Sequence, residues 1–197
     1  MPADGPQIDA IDIALMVARA IEDVGGAYFV GGSLASSIQG EPRATNDIDM
    51  VVSIPLARLR DFITRLGADF EADFDVFREA MLRGSTCNIF YLPLLTKIDL
   101  FALGTAPFDE AEFARRRPVQ VRSTEQLVIK APEDTVLRKL LWFRAGGEVS
   151  ERQWRDVVQV LRVSGPEMDA TYLDDWAGQL RITSLLEKAR LEAAAPT

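Results

Sequence analysis

The most constraining feature of the sequence is a pair of aspartates, Asp47 and Asp49, inside an otherwise apolar stretch that ends at residue 52. Side chains alternate across a β-strand, so the two carboxylates share one face while the apolar residues Ile48, Met50 and Val52 share the other. Like charges held this close repel each other, and each raises the pKa of the other. A cation between them relieves the repulsion, and oxygen ligands at this spacing suit a hard cation such as Mg²⁺.

A glycine-rich turn precedes this strand. An apolar run over residues 28–30 predicts a short buried strand, and Gly31, Gly32 and Ser33 follow it. Glycine permits close backbone approach, and a helix that begins at Ser33 would direct backbone N–H groups at an anion. Taken singly, the Gly-Gly-Ser segment is compatible with an ordinary turn that binds nothing. The aspartate pair alone is compatible with a solvated edge strand or loop. Their conjunction favours a phosphate cradle beside a metal-binding pair.

The order of strand, glycine turn, helix and carboxylate strand resembles the first motif of the nucleotidyltransferase superfamily, the DNA-polymerase-β-like fold. The segment GGSLASSIQGEPRATNDID is similar to the branch that contains abortive-infection toxins and many small predicted nucleotidyltransferases. One position departs from this branch, because many of its members have histidine where this chain has Gln39. The resemblance implies that an NTP is a co-substrate, with its phosphates at the glycine turn. We also place Arg43 and Thr45 among the predicted nucleotide-binding residues.

A third aspartate, Asp99, interrupts the apolar strand predicted over residues 96–103. Residues 85–92 are also predicted to form a strand, and a hairpin between the two would lay Asp99 beside the strand of Asp47 and Asp49. The resemblance implies that Asp99 is a third carboxylate, which either completes the shell of a second Mg²⁺ or takes the proton from the attacking hydroxyl. The alternative is a buried structural aspartate paired with Lys97 or with an arginine.

The chain changes character at Pro132, after which the sequence predicts helices only. We therefore divide it into a catalytic core, residues 1–131, and a helical subdomain, residues 132–197. The predicted fold class is α/β (α+β), with a small mixed β-sheet flanked by helices and followed by a helical bundle.

Two later motifs also resemble the abortive-infection branch. They are Lys139 in one predicted helix and the pair Arg155 and Asp156 in the next. The resemblance implies that Lys139 faces triphosphate oxygens and that Asp156 orients the lysine or the incoming group. The alternative is a set of surface pairs four residues apart, such as Arg152 with Asp156.

The composition excludes several kinds of chemistry. The chain has no histidine, which removes Ser-His-Asp catalysis, Cys-His catalysis and histidine-ligated zinc. Its one cysteine, Cys87, cannot form an intrachain disulfide and is predicted to be a core residue, which fits a reducing cytoplasm. No segment has the ~20 apolar residues of a membrane span, and the first residues do not have the pattern of a secretion signal. We therefore expect a cytoplasmic protein with no membrane contact.

The charge balance bears on the acceptor. With 22 basic and 30 acidic residues, the net charge is -8, which disfavours general nucleic-acid binding and mildly favours a small cationic acceptor. The cluster Arg115–Arg117 is compatible with a local RNA contact. The sequence leaves three acceptors open: tRNA, protein or a small hydroxyl compound such as an aminoglycoside. The toxin interpretation implies a cognate antitoxin protein as partner, and the alternative to catalysis is a nucleotide-binding regulator.

Overall fold

The structure is a computed structural model that describes residues 8–42, 45 and 47–195. Within these residues the chain forms one seven-stranded mixed sheet flanked by helices, which confirms the predicted fold class. The strands are β1 (Ala27–Val30), β2 (Ile48–Ser53), β3 (Phe70–Glu71), β4 (Thr86–Tyr91), β5 (Thr96–Ala102), β6 (Arg117–Gln120) and β7 (Gln126–Ile129). The helices are α1 (Ala10–Asp23), α2 (Gly32–Gln39), α3 (Leu59–Leu66), α4 (Phe74–Arg83), α5 (Pro107–Ala114), α6 (Pro132–Ala145), α7 (Glu151–Ser164), α8 (Ala170–Gln179) and α9 (Thr183–Ala194). Short 3₁₀ turns cover Leu56–Arg58, Leu92–Leu94 and Gly165–Glu167.

The strand order is β3-β4-β5-β2-β1-β7-β6. Strand β2 therefore lies at the centre of the sheet, antiparallel to β1 and parallel to β5. The predicted hairpin of β4 and β5 is present, and β6 and β7 form a second hairpin at the opposite edge. Because β7 runs parallel to β1, the chain that follows it enters α6 next to the glycine turn at the end of β1.

Alternation along β2 divides the sheet into a buried face and a face that carries the carboxylates. Ile48, Met50 and Val52 are each at most 1% exposed and belong to a large apolar cluster with α1, α3 and the neighbouring strands. A second apolar cluster joins Phe108 of α5 to the helices that follow Pro132. Each cluster covers one side of the region where the carboxylates lie.

Helix boundaries follow the local chemistry. The Asp9 side chain accepts hydrogen bonds from the N–H groups of Ile11 and Asp12, and the Asp12 carboxylate accepts from the N–H of Asp9, so a capping box begins α1. Gly84 has a φ of +63° and ends α4 in the left-handed conformation that glycine adopts most readily. None of the helices in residues 8–42 and 47–195 has both the length and the apolar character that a membrane crossing needs.

One carboxylate is fully buried among the helices. Asp134 of α6 has no exposed surface, accepts a hydrogen bond of 2.6 Å from the hydroxyl of Tyr172, and lies 3.7 Å from Nε of Arg115. Burial raises the pKa of Asp134 to about 6, with a further contribution from Glu112, against the opposing effects of the Tyr172 hydrogen bond and the Arg115 charge. The folded protein therefore holds a proton at Asp134 at a pH where the unfolded chain does not.

We expect an Asp134→Asn variant to change how stability depends on pH. The pKa of this carboxyl is higher in the folded state than its ordinary value, so its contribution to the free energy of unfolding rises as the pH falls from about 7 to about 4. Asparagine keeps an acceptor for Tyr172 and does not titrate. Urea unfolding at both pH values should show the variant's advantage over wild type shrinking by about 2–3 kcal/mol on acidification. If the difference in the free energy of unfolding between Asp134→Asn and wild type does not change with pH, the pKa of Asp134 is not raised in the folded protein.

Candidate active site

Asp49 and Asp99 occupy paired positions on the adjacent parallel strands β2 and β5. Their side chains therefore leave the same face of the sheet. Asp49 is partly buried, the Asp99 side chain is 16% exposed, and Asp47 lies exposed just before β2. The proximity predicted for Asp49 and Asp99 is thus present in the structure, while their chemical roles stay predictions.

The carboxylate of Asp49 lies directly against the glycine turn. The N–H of Gly31 donates a hydrogen bond of 2.8 Å to the backbone oxygen of Asp49. Gly32 has a φ of +54°, and a Cβ atom added there would lie 1.7 Å from Oδ2 of Asp49. Only glycine fits this position. Helix α2 begins at Gly32, one residue earlier than predicted, because Gly31 takes the capping position. A helix start leaves backbone N–H groups without an acceptor inside the helix, which favours an anion beside it.

The carboxylate of Asp49 is partly buried and lies near two other negatively charged carboxylates. Burial raises its pKa, and the charges of Asp99 and Asp47 raise it further. Lys130 and Lys139 act in the opposite direction because their positive charges favour the ionised carboxylate. The site therefore holds an anionic group whose charge is only partly compensated, and a bound cation would stabilise it.

Lys97 forms an ion pair with Asp99. Its Nζ lies 2.8 Å from Oδ2 of Asp99, and this hydrogen bond together with the aspartate charge raises the pKa of Lys97. The alternative interpretation, in which Asp99 is a structural aspartate, predicts this pairing with Lys97. The pair lies on the same face of the sheet as Asp49. Within the described part of the chain, no group of three or more acidic, histidine or cysteine side chains is close enough to hold a metal ion as the side chains stand.

Comparisons with known proteins bear on the fold. No protein-family model and no curated protein sequence matches this chain. Among solved structures, it is similar to an antigenic nucleotidyltransferase-like protein from Paracoccidioides brasiliensis, with a TM-score of 0.58 and 15% identity over 94% of each chain. It is also similar to ANT(2″)-Ia in complex with adenylyl-2″-tobramycin, with a TM-score of 0.50 and 13% identity over 87% of this chain and 98% of that one. The fold is nucleotidyltransferase-like. At these identities the similarity concerns the fold alone.

Within this nucleotidyltransferase-like fold, a side chain of α7 contacts the start of α2, and the predicted phosphate-binding residue Lys139 pairs with Asp156. Arg152 of α7 donates a hydrogen bond of 2.9 Å from Nη2 to Oγ of Ser33. Nζ of Lys139 lies 2.8 Å from Oδ2 of Asp156, and both side chains are buried. The orienting role predicted for Asp156 requires this contact. Arg155 pairs with Glu41 at 3.0 Å at the surface and lines a cavity together with Arg152 and Asp156.

The loop before β2 contains the two remaining candidates. Thr45 both accepts from the N–H of Asp47 and donates to its backbone oxygen, each at 3.3 Å, so its hydroxyl shapes the entry into the strand. This contact gives Thr45 a local structural role beside the predicted nucleotide contact. Arg43 lies outside the described residues.

Gln39 connects α2 to the helical half of the chain. Its Nε2 donates to the backbone oxygen of Lys130, and its Oε1 accepts from the hydroxyl of Thr135, both at 2.6 Å. The hydroxyl of Ser164 donates to the backbone oxygen of Gln39 at 2.8 Å. The side chain of Gln39 is therefore buried and structural in this chain.

Sequence reasoning missed a set of charged residues beside Asp49. Buried Lys130 and Glu112 pair at 2.9 Å, and Arg138 donates to Glu112 at 2.7 Å and to Asp109 at 2.6 Å. These residues line one cavity with Asp49, and its volume is about 290 Å³. The sequence signals only Lys130, which directly follows the apolar strand β7. Glu112 is 18 positions from Lys130 and 26 positions from Arg138, so these residues form no local pattern.

We expect Gly32→Ala to impair both stability and activity. The new Cβ atom would overlap the Asp49 carboxylate, and alanine at this positive φ costs about 1–2 kcal/mol by itself. Gly25→Ala is the matched control, because Gly25 has a φ of +72° and nothing within 4 Å of an added Cβ. Urea unfolding should show a larger loss for Gly32→Ala than for Gly25→Ala, and only Gly32→Ala should lose nucleotide transfer. Equal activity in the two variants would show that Asp49 tolerates displacement.

Proposed function

We propose that the protein transfers a nucleoside monophosphate from an NTP to an acceptor hydroxyl in a Mg²⁺-dependent reaction. The observation that carries the proposal is the register of β2 and β5, which pairs Asp49 with Asp99 beside the close contact of Asp49 with Gly32. One site thus combines two adjacent carboxylates with the start of a helix. This combination suits a metal ion and a phosphate group together, which is the requirement of phosphoryl and nucleotidyl transfer.

The donor set fits Mg²⁺. It consists of carboxylate oxygens, which hard cations prefer, and the raised pKa of Asp49 reflects burial and neighbouring negative charge that a cation would relieve. Asp47 and Asp49 would hold the ion. Bound Mg²⁺ would neutralise phosphate charge during the displacement. Recruitment of Asp99 requires that its carboxylate leave Lys97, whose side chain is 42% exposed and therefore able to move into solvent.

The chain's own groups have separate tasks in the proposed reaction. Backbone N–H groups of Gly32 and Ser33 bind phosphate oxygens, and Arg152 and Lys139 supply positive charge beside them. The acceptor oxygen forms a bond to the α-phosphorus as the bond to the bridging oxygen of the β-phosphate breaks, and pyrophosphate leaves. Asp99 takes the proton of the acceptor hydroxyl or, in the alternative assignment, completes a metal shell.

The acceptor is proposed to be tRNA, a protein or a small hydroxyl compound. ANT(2″)-Ia, which shares this fold, was solved with adenylyl-2″-tobramycin, so the fold accommodates a nucleotidylated small molecule in that protein. A toxin of the abortive-infection kind, with an antitoxin partner in the cytoplasm, is the proposal for a tRNA or protein acceptor.

The test uses each of the four NTPs labelled at the α-phosphate, with Mg²⁺ and a cell lysate. Transfer of label to tRNA, to protein or to small molecules identifies the acceptor class. The control is Asp49→Asn, which should transfer nothing. Label transfer that is the same in wild type and Asp49→Asn would sink the proposal, and nucleotide binding without any transfer would favour the regulator instead.

A further inference from the structure

The carboxylate face of the sheet carries a second row of side chains next to Asp49 and Asp99. Val51 pairs with Phe101 on β5 and with Phe29 on β1. Each of these positions is two residues from the row of the carboxylates, so all lie on the same face, about 6.6 Å farther along the strands. An apolar floor with a phenylalanine at each end therefore adjoins the proposed metal site.

The cavity of about 290 Å³ lies over this floor. It is lined by Phe29 and Phe101 from the sheet, by Trp142 from α6, and by Gly31, Gly32 and Asp49 from the site itself. Trp142 is 41% exposed. Nζ of Lys130 lies 5.6 Å from the ring centre of Phe29 and 5.9 Å from that of Trp142, so the lysine contacts both aromatic rings. The size and the aromatic lining suit one small ring system.

Apart from Asp49, the charged groups of the cavity are paired with one another. Glu112 pairs with both Lys130 and Arg138, and Arg138 also pairs with Asp109. A ligand in this cavity therefore needs no net charge of its own. Phosphate groups gain little here, because Lys130 and Arg138 already pair with Glu112 and Asp109. They are favoured instead beside Ser33, where Arg152 makes its hydrogen bond.

We infer that this cavity holds the nucleobase of the NTP, with Trp142 as the stacking surface and the row Phe29–Val51–Phe101 as the floor. The inference rests on the proposed function. The same glycine turn that would hold the phosphates also lines the cavity, so a ribose connects the two positions within one bound nucleotide. A flat, neutral ring also fits the paired charges and the aromatic lining better than a polycationic acceptor does.

The test compares ATP with inorganic tripolyphosphate, both in the presence of Mg²⁺, on the full chain. Loss of an aromatic surface that stacks on a base weakens binding about five- to hundredfold. Trp142→Ala should therefore weaken ATP binding by this factor and leave the affinity for tripolyphosphate unchanged. Trp142→Phe keeps an aromatic ring and should retain most of the affinity for ATP. The exposure of Trp142 makes loss of folding an implausible cause, and thermal unfolding of each variant checks it.

Two results would overturn the inference alone, and a third would overturn the proposed function with it. Equal ATP affinity in wild type and Trp142→Ala would assign the cavity to the acceptor. An equal loss for ATP and tripolyphosphate would show that the substitution disturbs the phosphate site. If wild type binds ATP in a way that Asp49→Asn weakens while the Trp142 variants are unaffected, the inference alone fails. If wild type binds no ATP, the proposed function fails with it.

Discussion

Replacing Asp49 with asparagine is expected to abolish nucleotide transfer while leaving the protein folded. The substitution removes a proposed metal ligand. It also removes the negative charge that lies opposite Asp99 in the register of β2 and β5. Groups that stabilise charge in a transition state contribute on the order of 10³ in turnover, so the loss should be at least about 10³-fold. The measurement is incorporation of α-labelled nucleotide under the conditions in which wild type transfers label.

Stability separates this result from simple unfolding. Burial and the charges of Asp99 and Asp47 raise the pKa of Asp49, which means that its ionised form is disfavoured in the folded state. Asparagine has no charge to bury, so the free energy of unfolding should stay the same or increase. Asp69→Asn, at an exposed position of a surface turn, is the control and should keep full activity. Wild-type turnover in Asp49→Asn would remove Asp49 from the mechanism.

Replacing Lys139 with methionine is expected to produce the largest loss of stability. Lys139 and Asp156 are 5% and 8% exposed, and their charged atoms are 2.8 Å apart. Removing one member of a buried ion pair takes away a partner of the remaining charge and costs about 3–5 kcal/mol. Urea unfolding measures this loss. Arg155→Met removes half of the exposed pair with Glu41 and should cost no more than about 1 kcal/mol.

A double variant distinguishes the structural role of Lys139 from a nucleotide-binding role. Lys139→Met/Asp156→Leu replaces the ion pair with apolar side chains and should regain most of the lost stability. If Lys139 faces the triphosphate, the double variant still binds ATP and tripolyphosphate more weakly than wild type. If both ligands bind the stabilised double variant as well as they bind wild type, Lys139 is structural only.

Local patterns in the sequence were sufficient for the fold class and for one side of the site. Alternation fixed the faces of β2 and β5, and the hairpin of β4 and β5 brought Asp99 next to Asp49. Apolar periodicity, with glycine and proline at the boundaries, located the helices after Pro132. The helices and the β4–β5 hairpin depend on interactions between residues that are near each other in the chain, so a single sequence carries them, whereas the pairing of β2 with β5 joins distant residues.

The rest of the site depends on packing between distant elements. The contact between Gly32 and Asp49 requires the exact approach of α2 to β2, and no spacing in the sequence specifies an approach of that kind. The grouping of Lys130 with Glu112 arises because β7 inserts beside β1 and α5 packs near its end. Lys97 was considered as a partner for Asp99, but only coordinates show that it also shares a site with Asp49.

The hydrogen bonds of Gln39 hold the helices after Pro132 against the rest of the fold. They tie the last residue of α2 to the end of β7, to α6 and to the last residue of α7. Any outward rotation of α6 and α7 away from the sheet would have to break these buried bonds together. These buried bonds therefore oppose a hinge motion between the sheet and the helices α6 and α7.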